Sequence, residues 1–178
     1  MANIFTEQRL VDTQDKAVIK LTGRFDGSTQ DQNVRVDVST LAYALNANSY
    51  IMTSNTHPKS LYRTFVTAIM YDVNIANGYL AIQWQGAEGD PTGNTDMYVL
   101  HSGQHSLLVD DTRYTSTIPN PTVETDSANT NGDIIFRTVG ADANDSYSVI
   151  LVLKKDARDY DKGQTADPTA FNRGPAAP

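Results

Sequence analysis

Cysteine is absent from the chain, and the absence removes disulfides and thiolate metal sites together. Long apolar runs are missing too. No stretch approaches the roughly 20 residues that a membrane-spanning helix needs, so no membrane role is expected. The opening residues, Met1-Ala2-Asn3-Ile4-Phe5-Thr6-Glu7, have neither the basic start nor the apolar stretch of a secretion signal, and synthesis and folding in the cytoplasm are expected. Positive charge is scarce: 14 Lys and Arg stand against 21 Asp and Glu, for a net charge of −7. The one short basic pair is Lys154-Lys155. An acidic surface repels phosphates, which argues against direct nucleic-acid binding.

What fills the 178 residues instead is Thr, Ser, Asn, Asp and Gln, with apolar residues at 39 %. Those polar types favour turns, edges and exposed strand faces over helix interiors. Such a composition points to a β-protein with many loops.

Alternation supplies the strands. Ala17, Ile19 and Leu21 alternate with Lys20, Thr22 and Arg24 within residues 16–25, which can pair with residues 5–11 across Asp12-Thr13-Gln14-Asp15. Gly23 is expected to mark a bulge or bend, and Asp26-Gly27-Ser28-Thr29 a turn. Val34, Val36 and Val38 alternate with Arg35 and Asp37. Residues 39–45 predict one short helical turn, capped by Ser39 or Thr40, with Leu41, Ala42 and Leu45 on one face. Within residues 61–73, Phe65, Ile69, Tyr71 and Val73 can share a face. Asn77-Gly78 then predicts a type I′ hairpin into Leu80, Ile82 and Trp84. Short strands are expected over 97–101 and 105–109, around Gly103.

Residues 113–132 form a long polar excursion holding Pro119 and Pro121. A last hairpin is expected from residues 133–139 and 147–153. Ile134, Phe136 and Thr138 share one face of it, and Tyr147, Val149, Leu151 and Leu153 another. Ile150 and Val152 mark its second strand as central and buried on both sides. Eight or nine strands without long helices predict an all-β fold, an antiparallel β-sandwich or jelly roll. Residues 1–155 would form this domain. Residues 156–178, lacking apolar periodicity, would form a flexible C-terminal arm.

Chemistry is hard to find. His101 and His105 are four apart, a zinc spacing only on a helix, and Gly103 separates them; His57 stands alone. Acidic residues crowd two turns, Glu88, Asp90, Asn94 and Asp96 in one and Asp142, Asn144 and Asp145 in the other. Solvated turns explain them more simply than calcium does, and Asn129-Thr130-Asn131-Gly132-Asp133 lacks the leading Asp of an EF-hand. Ser102 and Ser106 lie near histidines without a nucleophile elbow. Asp110 and Asp111 would point to opposite sides of an extended chain. Asn144-Asp145-Ser146 matches a glycosylation sequon only by chance. Trp84 is in register with Leu80 and Ile82, which places it in the core rather than on a sugar-binding face. No catalytic residue, metal ligand or cofactor site is therefore expected, and the chain reads as no enzyme.

Two stretches carry a resemblance. Gly132-Asp133-Ile134-Ile135-Phe136-Arg137-Thr138-Val139-Gly140, followed by Ser146-Tyr147-Ser148-Val149-Ile150-Leu151-Val152-Leu153-Lys154-Lys155, resembles the C-terminal hairpin of small virion structural proteins of tailed phages, marine cyanophage-like ones especially. Tyr79-Leu80-Ala81-Ile82-Gln83-Trp84 resembles their Trp-bearing strand, and Val34-Arg35-Val36-Asp37-Val38-Ser39-Thr40-Leu41 is also similar. The likeness covers most of residues 16–155 and implies a β-sandwich component of a particle. The expected function is that of a capsid decoration (cement) protein on the virion surface, bound to the major capsid protein lattice as a homotrimer. A neck, tail or fibre component is the alternative within that class. A carbohydrate-binding module stands outside it, and a hydrolase is weaker still. The expected partner contacts are Arg158, Tyr160, Phe171 and Arg173 of the arm, because aromatic and arginine side chains favour interfaces.

Overall fold

The computed structural model describes residues 3–27, 32–44, 64–86, 94–108 and 132–155. They hold nine strands: β1 (Ile4–Asp12), β2 (Lys16–Arg24), β3 (Gln32–Val36), β4 (Thr64–Asn74), β5 (Tyr79–Trp84), β6 (Thr95–Leu100), β7 (Gly103–Leu108), β8 (Ile134–Val139) and β9 (Ser146–Lys155). Two antiparallel sheets result, one in the order β1-β2-β9-β4-β7 and the other in the order β3-β8-β5-β6. The expected all-β, sandwich-like architecture is present. In place of a helix over 39–45 there is a 3-10 turn, Val38–Thr40, and Asp37, not Ser39 or Thr40, caps it by accepting from the Ser39 N–H.

The pairing is nested. β2 pairs with β9, β3 with β8, β4 with β7 and β5 with β6. β1 stands outside this nest, added to the free side of β2. Only two pairs, β1–β2 and β5–β6, join strands adjacent in sequence.

Two expected hairpins are therefore corrected. β4 and β5 flank Asn77-Gly78 yet lie in opposite sheets, as do β8 and β9. Neither Asn77 nor Gly78 has the positive φ of a type I′ turn. Gly78 serves close approach instead: a Cβ there would lie 1.9 Å from the Val139 carbonyl oxygen. The dipeptide lets the chain cross between sheets against the end of β8.

One core lies between the sheets, drawing Ile19, Ile69, Val149 and Leu151 from the first and Leu80, Ile82, Trp84 and Phe136 from the second. Each such side chain contributes about 1.5–3 kcal/mol by leaving water. Trp84 is 1 % exposed, as its register predicts.

Three finer expectations change. A bulge between Val66 and Ala68 puts Val66, not Phe65, on the inner side with Ile69, and leaves Tyr71 half-buried. β9 is central, but Ile150 and Val152 are only half-buried; β5 is the strand buried on both faces. Gly23 stands in an unbroken ladder with Tyr147, and the bulge is in β1, between Arg9 and Val11.

Candidate functional site

The inner face of β9 continues past Leu153 to Lys155, because every second residue of the strand turns toward the core. A lysine carried inward needs an anion and further acceptors to offset its lost hydration. It finds them at the end of β1. The Lys155 ammonium forms an ion pair with Asp12 Oδ1 and donates to the carbonyls of Thr13, at 2.7 Å, and Ala42, at 2.8 Å. Its backbone N–H donates to the Asp15 carbonyl at 2.8 Å.

Asp12 completes the arrangement by accepting the Ala42 N–H on Oδ2 at 2.9 Å. Arg9, brought to the same face across the β1 bulge, lies 3.8 Å from Asp12 Oδ2 and donates to the Thr40 carbonyl at 2.6 Å and to the Thr40 hydroxyl. The ends of β1 and β9, the β1–β2 turn and residues 40–42 are thereby held to one another. This is the point from which residues 156–178 depart. Chemically the arrangement is a structural anchor: its cation has its donors engaged and no exposed surface.

A second buried charge lies within the four-stranded sheet, where β3 ends and β8 begins. Asp133 is fully buried; its Oδ1 accepts the Val38 N–H at 3.0 Å and its Oδ2 lies 3.3 Å from Arg35 Nε. The sequence singles out neither carboxylate, the part-buried Asp12 or the buried Asp133, as an anchor. For Lys155 a signal existed, since it extends the period-two series Tyr147, Val149, Leu151 and Leu153. Asp133 and Asp12 carry none, being read as ordinary turn and strand-end residues.

The residues weighed for chemistry are scattered. His101 and His105 are exposed, the first beside the Tyr79 ring at 6.2 Å and the second beside Tyr71 at 5.7 Å. Among the described residues no group of three His, Cys, Asp or Glu is placed to hold a metal ion. Ser102 is occupied structurally, donating to the Ile75 carbonyl at 2.6 Å and accepting the Ile75 N–H at 3.1 Å. Asp145 accepts the Asp142 N–H at 2.8 Å within a turn whose Asn144 has a φ of 75°, so these acids shape a turn. Asp96 accepts from the Gln83 side chain at 2.6 Å, and Asn94 accepts the Gly86 N–H at 3.0 Å.

A shallow open concavity of about 460 Å³ lies on the five-stranded sheet, with Met70, Asp72, Ser106 and Ile150 among its walls. Burial pushes the Tyr147 hydroxyl well above the usual phenol range. That ring lies in the core against Phe25, at 6.2 Å, so the shift marks packing and not a catalytic acid.

The expected partner contacts, Arg158, Tyr160, Phe171 and Arg173, lie outside the described residues. So do His57, Glu88, Asp90, Asp110, Asp111 and the excursion over 113–131. Among the described residues no helix is long and apolar enough to cross a membrane. No family model, no curated protein and no solved structure matches the chain.

Proposed function

We propose that this chain is a non-enzymatic structural protein of a tailed-phage virion, a decoration protein bound to the outer surface of the major capsid protein lattice. The observation that carries the reading is the nested pairing 2–9, 3–8, 4–7 and 5–6 across two sheets. We read this nesting as jelly-roll-like, after an architecture common among viral capsid domains. The support is a likeness of fold, joined to the resemblance of β3, β5, β8 and β9 to small virion proteins.

The geometry described above agrees with a binding role. The buried charges act as anchors, and the histidines and acids that could have formed a reactive centre are dispersed or engaged in turns. Jelly rolls also serve as lectin domains, but the ring best suited to stack on a sugar, Trp84, is in the core. In this reading residues 156–178 form an arm rooted at Lys155. Arg158, Tyr160, Phe171 and Arg173 make its contacts with the shell protein or with a neighbouring copy of a trimer.

Reconstruction of the particle, with quantification of this chain in purified virions, tests the proposal. A decoration protein is present in hundreds of copies per particle and lies on the outer shell. Tens of copies confined to the neck, tail or fibres would move the chain to the other virion role, and absence from the particle would end the reading.

A further inference from the structure

The outward side of the five-stranded sheet carries a charge opposite to that of the chain. Along β2, Ala17, Ile19 and Leu21 turn inward, so Lys16, Val18, Lys20, Thr22 and Arg24 turn outward. The register places Lys154 of β9 directly beside Lys16, Val152 beside Val18, and Ile150 beside Lys20. Val11 of β1, 41 % exposed, extends the apolar row on one side, and Met70 of β4 flanks Ile150 on the other. Among the described strand residues facing this way the one acid is Asp72, which already accepts from Gln104 at 2.9 Å.

Two observations set this face apart from an ordinary solvated one. Of the described cations, Arg9, Arg35 and Lys155 are each in an ion pair; Lys16, Lys20, Arg24, Lys154 and, on the other sheet, Arg137 are in none, so all but one of the unpaired cations share this face. This in a chain of net charge −7, where carboxylates outnumber cations. In addition, Lys16 and Lys154 stand as direct cross-strand partners, and like charges so placed destabilise an isolated sheet. A cationic border around an apolar strip of Val11, Val18, Ile150 and Val152 has the anatomy of a protein interface, with an apolar centre and a polar rim.

We infer that this face docks on a carboxylate-bearing surface of a second copy of the same chain. Charge complementarity selects the occupant. With the cations gathered here, the rest of the molecule is more acidic than its total charge states. Packing the face directly on itself would set lysine against lysine. The face therefore meets a different, acidic surface of the neighbouring copy and not itself, whether reciprocally about a two-fold axis or head-to-tail. Polyphosphate is the poorer occupant, because the remainder of the chain repels it and the strip between the lysines is aliphatic.

The inference stands apart from the particle reading, since oligomeric state is measured on the isolated full-length protein. Light scattering and sedimentation at about 20 mM and about 500 mM salt should show an oligomer that dissociates as salt rises. The double variant Lys20→Glu/Lys154→Glu should weaken association at least tenfold while its melting transition stays at or above that of the parent, because Glu at 154 relieves the repulsion with Lys16. Arg137→Glu, the same charge change at an exposed position on the other sheet, should associate as the parent does. A monomer under all conditions, or an oligomer indifferent to the double variant, would overturn the inference. So would a monomer that binds a duplex DNA oligonucleotide through these lysines.

Discussion

Lys155, the last residue of β9, sets its ammonium group on the carboxylate of Asp12, the last residue of β1, with no side-chain surface of the lysine exposed. The two residues are 143 apart in sequence, so the pair ties one margin of the five-stranded sheet to its centre. Asp12→Leu leaves the Lys155 ammonium buried without its anion, which should lower unfolding free energy by about 3–5 kcal/mol in urea titrations. Lys155→Met should cost less, because Asp12 is part-buried and keeps Arg9 at 3.8 Å and the Ala42 N–H. The double change Asp12→Leu/Lys155→Met should cost less than Asp12→Leu alone. A single variant as stable as the parent would show that the pair does not hold the sheet.

Trp84 is the chain's one tryptophan, so its fluorescence reports on the core directly. Native emission should be blue-shifted and should move to the red on unfolding. Trp84→Ala should cost about 3–5 kcal/mol, as for other buried aromatics. The indole N–H makes no hydrogen bond, so Trp84→Phe loses volume but no polar contact and should cost clearly less. Solvent-like emission from the native protein would refute the core assignment.

Gly78→Ala and Gly23→Ala separate two kinds of crowding. At Gly78 a Cβ meets a backbone oxygen at 1.9 Å; at Gly23 it meets the Tyr147 ring at 2.3 Å. Backbone cannot step aside as a side chain can. Overpacking costs about 1–3 kcal/mol, and Gly78→Ala should reach or exceed the top of that range while Gly23→Ala falls lower. Thermal melts of the two variants decide it; the opposite order would count against the crossing seen at Gly78.

Tyr147 gives the protein an alkaline limit. Its hydroxyl has a raised pKa in the folded state because burial disfavours the phenolate. Above the ordinary tyrosine value of about 10 the unfolded chain loses this proton first, so the native state binds more protons and stability falls as pH rises. Below that value the contribution is fully present. Tyr147→Phe should flatten the decline of stability above about pH 10, measured by denaturant titration across that window. An unchanged slope would assign the decline to other groups.

A chain ending at Lys155 tests the arm. It retains Lys155 and its partners, so it should fold with an unchanged melting transition; on the proposed virion role it should bind the particle, or a neighbouring copy, less tightly. Full occupancy without residues 156–178 would remove any role for Arg158, Tyr160, Phe171 and Arg173.

Alternation in the sequence determined which residues turn inward. Ala17, Ile19 and Leu21, then Ile134, Phe136 and Thr138, and Tyr147, Val149, Leu151 and Leu153 all occupy the buried faces their period of two assigns. The absence of long helical periodicity determined the all-β class, and Trp84 followed from its register with Leu80 and Ile82. The β1–β2 hairpin was legible as well, from the short polar turn Asp12-Thr13-Gln14-Asp15 between the two segments.

Partner choice was decided only by the tertiary structure. Asn77-Gly78 is a strong hairpin signal, yet β4 pairs with β7 and β9, and β5 with β6 and β8. Backbone hydrogen bonds are alike whatever the sequence, so alternation names a strand's buried face without naming its neighbour. The neighbour is set by burying all the inner faces at once, which here sends the two strands flanking Asn77-Gly78 to opposite sheets. The same holds for the charges. Lys155 reads as half of a surface pair until the fold carries Asp12, Thr13 and Ala42 to it, and four cations become one face only when β2 and β9 lie side by side.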